Sequence, residues 1–369
     1  MNECLKHISA LPQSGKVYSL LIPLIFCFWA TSYSQYIIRS TQRTSPVITF
    51  EAGARFTYDD NIFLYSRKDL NDFRKSINSY RFPFETSDDF ITSITGVLGI
   101  RPKLFAQKMT MLTVRYRQYI YAVNHIKSYQ IFSLSLGQNL SKSFGFEIGY
   151  LYLPKYLIRF YKDPTIQTSP PTYIGCDFAE QLVSFETNYK LKKLLSLTPF
   201  YKYEIDNYAA KFNYYDTKAH RLGLNGSYRL RGVFELKGGF EYKIAKAKGP
   251  VPDISYNQLG WEVGAGLGRR KVTEGFNLRS LKIEIDYSQV RREFVTNNPP
   301  AVDPFHTGRV DKIQNFKVGI ELLFSRIASI SVGYELENRN VSSPYKEQID
   351  EVKDYNNNKI GLGLNLRRF

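Results

Sequence analysis

The chain has 369 residues, 43% of them hydrophobic, with a formal net charge of +16 and a negative mean hydropathy. Beyond residue 30 no stretch approaches the ~18 uninterrupted apolar residues that a membrane-crossing helix needs, which excludes a helical membrane protein. Tyr (28) and Phe (26) are abundant while Trp is scarce (2), a balance that suits strands with one apolar and one polar face and argues against disorder or a helical repeat.

Residues 1–34 read as a cleaved signal peptide. Lys6 and Lys16 supply positive charge ahead of an apolar run from Val17 to Ala30, and small Ser32 and Ser34 precede an expected mature start near Gln35. Cys27 lies inside the apolar run behind bulky Phe26, so it reads as filling of the leader and not as an acylation site. Loss of the leader removes Cys4 and Cys27, and Cys176 alone remains, which forbids an intramolecular disulfide. It also removes two lysines and Glu3, leaving 48 basic against 33 acidic residues. Such a surplus points to an acidic partner. An exported chain meets anionic lipid, lipopolysaccharide and polysaccharide, and no nucleic-acid partner is expected.

Residues 35–46 are expected to form a short periplasmic segment and 47–369 a single barrel domain. From Val47 onward the dominant period is two. In Phe144 to Tyr150 even positions are apolar and odd ones small or charged; Val233 to Lys243 and Leu281 to Ser288 repeat the arrangement. A strand sorts these residues onto two faces, whereas a helix would scatter them. The pattern predicts about fourteen strands: 47–58, 90–101, 108–122, 127–139, 143–155, 178–190, 195–207, 216–229, 232–246, 255–268, 279–292, 310–324, 327–340 and 355–368. Connections after even-numbered strands are short, such as Ser141-Lys142-Ser143 and Leu230-Arg231-Gly232. Those after odd-numbered strands are mostly long, at 59–89, 156–177, 293–309 and 341–354, with a short exception near Asn124 and His125. This asymmetry predicts an all-β fold: a transmembrane antiparallel up-and-down β-barrel of the bacterial outer membrane, with short periplasmic turns and long extracellular loops. Backbone groups must be paired in hydrocarbon, so the sheet has to close on itself. The terminal Phe369 is the candidate signal to the barrel-assembly machinery, although it stands out of phase with Ile360, Leu362, Leu364 and Leu366.

Glu51-Ala52-Gly53-Ala54-Arg55-Phe56-Thr57-Tyr58-Asp59-Asp60-Asn61-Ile62-Phe63 resembles the opening strand of the outer-membrane proteins of the β-barrel porin 2 family, in which a Tyr-Asp-Asp-Asn-like stretch leaves the first strand. The resemblance covers those residues. It implies an envelope barrel and hints at a polysaccharide role.

The alternation assigns Arg115, Arg117, Lys202, Arg221, Arg229, Lys237, Lys243, Lys282 and Lys317 to the lumen. Glu147, Glu186, Glu204, Glu235, Glu241, Glu262, Glu284, Asp286, Glu321, Glu335 and Glu337 fall on the same face. Balanced signs read first as ion-pair ladders along the wall. The surplus positive charge is placed in connections, at Arg67-Lys68, Arg74-Lys75, Lys192-Lys193, Arg269-Arg270-Lys271 and Arg291-Arg292. Tyr116, Tyr150, Tyr152, Tyr201, Tyr203 and Tyr287 read as an interfacial girdle. Tyr119 and Tyr121 are the lumen-facing aromatics able to stack on a sugar.

Asp59, Asp60 and Asn61, and separately Asp350, Glu351, Asp354 and Asn356 to Asn358, are weighed as calcium ligands, but neither group has the spacing of a dedicated loop. Asn and Asp are equally what a turn requires. Among the mature histidines His220 shares phase with Leu222 and Leu224, and His125 and His306 lie near loops. No nucleophile motif or metal-ligand spacing accompanies them. No cofactor and no enzymatic activity are expected. The preferred function is passage or export of hydrophilic solutes, with anionic saccharides one candidate class. A closed structural or surface-binding barrel, plugged by the 59–89 loop, is the second reading and a barrel enzyme such as a lipase or protease the third.

Overall fold

A computed structural model describes residues 47–105, 108–191, 194–230, 233–270, 280–324 and 327–368. The expected leader, the 35–46 segment, Lys192-Lys193, Lys271 and Phe369 lie outside the described residues.

Period-two patterning becomes a closed antiparallel barrel. Its strands are β1 (Val47–Asp59), β2 (Asp89–Arg101), β4 (Lys108–Tyr121), β5 (Tyr129–Asn139), β6 (Phe144–Lys162), β7 (Tyr173–Leu191), β8 (Leu195–Tyr208) and β9 (Thr217–Leu230). They continue as β10 (Phe234–Ala247), β11 (Tyr256–Arg270), β12 (Ser280–Phe294), β13 (Val310–Leu323), β14 (Ala328–Ser342) and β15 (Tyr355–Arg368), while β3 (Lys103–Phe105) is a short extension beside β4. Each strand pairs with its neighbour in sequence, β2 with β4 included. The ring is closed by β1 against β15, from Phe50 opposite Arg368 to Asp59 opposite Lys359. Fourteen strands therefore make one barrel with no open edge, as hydrocarbon requires.

One strand face is apolar and looks outward. Phe50 is 53% exposed, Phe90 56%, Leu222 59% and Leu366 59%, values that fit lipid and not water as the neighbour. Aromatic pairs sit toward both rims of this belt: Phe144 with Tyr189 near the short-turn end (4.7 Å between centroids), Tyr58 with Phe90 at the long-loop end (5.4 Å). Such girdles anchor a barrel at the two interfaces.

Several strands outrun their expected ends. β6 continues to Lys162 and β7 begins at Tyr173, so the connection expected over 156–177 shrinks to 163–172. Pro154 lies within β6, and register shifts follow it between Leu153 and Tyr156 and again between Leu157 and Arg159. These bulges break the alternation that sequence reading depends on. Likewise Arg269 and Arg270 belong to β11, and Arg291 and Arg292 to β12, rather than to connections. Long connections remain at 60–88, 295–309 and 343–354. The first carries α1 (Arg67–Arg74), capped by Ser66 Oγ accepting from the Asp69 amide at 3.1 Å, and the last carries α2 (Ile349–Lys353).

Candidate functional site

The inner face is built from the residues that alternate with the apolar belt. On β8, β9 and β10 the carboxylate of Glu204 meets Arg221 at 3.1 Å and Lys243 at 2.5 Å, and Arg221 also reaches Glu241 at 3.5 Å. Arg229 meets Glu235 at 2.7 Å and Lys202 meets Glu186 at 3.4 Å. Lys237 and Lys282 converge on Glu284 at 2.6 and 2.7 Å, and Lys317 meets Glu335 at 3.3 Å. Arg117 instead donates to Thr95 Oγ1 and Tyr119 Oη, both at 3.1 Å. Arg115 occupies the inward position opposite Ser133 on β5.

Lys237 on β10 and Glu284 on β12 meet across β11, where Gly264 stands opposite both Lys237 and Asp286. A Cβ at Gly264 would strike the Asp286 carboxylate, so a bare backbone there leaves room for that side chain on the inner face.

The connection 60–88 folds back against the inner wall at the long-loop end. Ile62, Phe63, Tyr65 and Phe82 are buried in one cluster with Ile91 of β2, Tyr121 of β4, and Leu157 and Phe160 of β6. Two latches hold it. Asn61 Nδ2 donates to Tyr65 O at 2.9 Å and to Asn356 O of β15 at 3.1 Å, while Asn61 Oδ1 accepts from the Tyr65 amide at 2.9 Å. Arg159 Nη2 donates to Leu64 O at 2.8 Å and its guanidinium lies over the Tyr65 ring. The Asp89 carboxylate accepts from the amides of Ala122, Val123 and Asn124, clamping the β4–β5 connection beside the loop's end.

Lys127, 1% exposed, donates to Leu157 O at 2.8 Å and Ile158 O at 3.2 Å, with its ammonium 4.9 Å from the rings of both Phe63 and Tyr156. Burial pushes its pKa down to about 7, against the opposing pull of Asp59. Lys353 of α2 is likewise pushed to about 7, first by burial and then by Arg159, Arg309 and Arg339.

Beneath the loop lies a cavity of about 230 Å³. Arg55, Thr57 and Asp59 of β1 form one side, with Glu335 of β14 and Asn357 and Lys359 of β15 beside them. Tyr119, Tyr121, Tyr129 and Tyr156 form the other, and Ile62 and Leu64 the roof. Tyr119 and Tyr129 stack at 4.3 Å with 14° between their planes. Of these wall residues, Tyr156 falls in a segment expected to be loop, and Asn357 in a run read as turn or calcium ligands.

The candidate calcium groups are engaged otherwise. Asp60 accepts from the Asn358 amide and Nδ2, both at 2.7 Å; Asp59 accepts from the Asn61 amide; Glu351 pairs with Lys68; Asp354 accepts from the Val341 amide at 2.6 Å. Among the described residues no group of three or more His, Cys, Asp or Glu is arranged to hold a metal ion. His220 faces outward and shares a 2.8 Å hydrogen bond with Tyr201 Oη. His125 lies in the short turn His125–Lys127. His306 is oriented by Asp303 at 2.7 Å and depressed in pKa by burial, and the neighbouring Thr307 hydroxyl donates to the carbonyls of Asn298 and Asp303.

Closure, an outward apolar belt, aromatic rims and one end of long connections define an outer-membrane β-barrel. No protein-family model matches the chain, and no curated protein does. Among solved structures it is similar to an anion-selective porin of Comamonas acidovorans (10% identity, 88% of this chain and 99% of that one, TM-score 0.45). It is also similar to the outer-membrane channel DcaP of Acinetobacter baumannii (8%, 89% and 99%, 0.47) and to OpdK of Pseudomonas aeruginosa (8%, 87% and 99%, 0.39).

Proposed function

We propose that the protein is an outer-membrane channel for hydrophilic solutes, narrowed at its outer mouth by the 60–88 loop. The observation that carries this reading is the polar inner wall, on which charges answer one another across adjacent and next-but-one strands. A polar inner wall of this kind is what lines the water-filled lumen of channel barrels. The ladder's lysines and arginines are matched by carboxylates, so the wall favours uncharged hydrophilic solutes over anionic saccharides.

The test compares the refolded mature chain with a variant in which residues 66–86 are replaced by a short Gly-Ser linker, both in planar bilayers. Reproducible channels, with larger conductance after loop removal, are expected. A folded barrel that stays silent in both forms would overturn the proposal in favour of a closed structural barrel.

A further inference from the structure

We infer that the cavity beneath the 60–88 loop is a binding site for one neutral pyranose ring of a solute in the lumen, an inference that rests on the channel reading for the solute's access. The first support is Asn357. Its side chain is 1% exposed and lines the cavity, yet neither Nδ2 nor Oδ1 has a hydrogen-bond partner. Leaving a buried polar group unsatisfied is costly. The missing partner has to offer a donor and an acceptor together, which is what a hydroxyl does.

Charge narrows the ligand further. Asp59 and Glu335 face the same space as Arg55 and Lys359, so an anion entering it would meet two carboxylates and a cation two basic groups. A neutral polyol meets neither penalty and can hydrogen-bond to all four.

Aromatic surface then selects a ring over a linear polyol. Four tyrosines line one side, two of them packed face to face with each other. A pyranose carries a face of C–H bonds that can pack against tyrosine rings while its hydroxyls point outward to polar groups.

Calorimetric titration of the refolded mature barrel with glucose and galactose tests the site, with glucuronate as the anionic probe and sorbitol as the open-chain probe. One saturable site for a neutral pyranose is expected, with glucuronate and sorbitol at least tenfold weaker. Asn357→Leu and Tyr129→Leu, on different strands, should each weaken the sugar at least tenfold while the heat-dependent gel shift of the folded barrel is unchanged. Absence of saturable sugar binding, tighter binding of glucuronate, or undiminished binding in both variants would overturn the site. The channel reading fails separately. Conductance without sugar binding removes the site and keeps the channel, and sugar binding in a silent barrel keeps the site and removes the channel.

Discussion

At Asp311 a single carboxylate holds two guanidinium groups. Arg309 grips it through both oxygens at 2.7 and 2.9 Å, Arg339 adds a bond at 2.6 Å, and the Asp311 side chain is fully buried. Arg309 also lies 4.5 Å from the centroid of Phe294. Removing one partner of a buried charge cluster costs far more than the cluster contributes, because the remaining charges stay desolvated. Asp311→Ala should therefore destabilise the barrel by about 3–5 kcal/mol, read as a lower urea midpoint for unfolding from lipid vesicles. The triple change that also converts Arg309 and Arg339 to Met should recover most of that loss. A small effect of the single change, or no recovery in the triple, would show that the cluster is solvated and not dry. The residue scale is also where sequence reading falls shortest. Arg309 and Asp311 stand two apart at the start of β13, a signal present in the chain, but Arg339 joins them only through the β13–β14 register. Asn357 looks like its neighbours Asn356 and Asn358 until the strand phase turns it inward and theirs outward.

Among the elements, the strands were legible because period two is imposed by lipid on one side and a polar lumen on the other. The 60–88 loop was not, because its docking depends largely on side chains of β4 and β6 far along the chain and follows no period. The outer part of β6 was lost for a local reason, the Pro154 bulge and the shifts after it. The loop carries a pH prediction. Lys127 faces Asp59 of β1, Arg159 of β6 and Lys359 of β15, together with the rings of Phe63 and Tyr156. Its docked pKa of about 7 lies below the usual value of 10.5, so between those two pH values the undocked loop binds more protons than the docked one. Docking is weakest at and below pH 7 and strengthens as pH rises toward 10.5. A nitroxide placed at Ile77→Cys, which is exposed on this loop while native Cys176 is buried, should grow less mobile from pH 6 to pH 9. Lys127→Met should remove most of that change. A label insensitive to pH, or equally sensitive without Lys127, would rule the amine out as its source.

For the molecule as a whole, the net charge of +16 and the lumen charge are different quantities. Cations such as Arg74 and Lys75 are exposed on the outer connection, whereas those of the inner wall are matched on β8, β9, β10 and β12. Exposed charges more than a Debye length of about 10 Å from the ion path are screened at 0.1 M salt. The wild-type channel should therefore show a reversal potential near zero in a potassium chloride gradient, despite its basic composition. Lys237→Gln with Lys282→Gln removes both cations that meet Glu284 and leaves the nearby Asp286 and Glu262 in place, which should move the reversal potential toward cation preference. The same two-charge change at Arg74 and Lys75 should leave it where it was. If the loop pair shifts selectivity and the wall pair does not, ions pass close to the connection, and the balanced ladder serves to hold β10, β11 and β12 together.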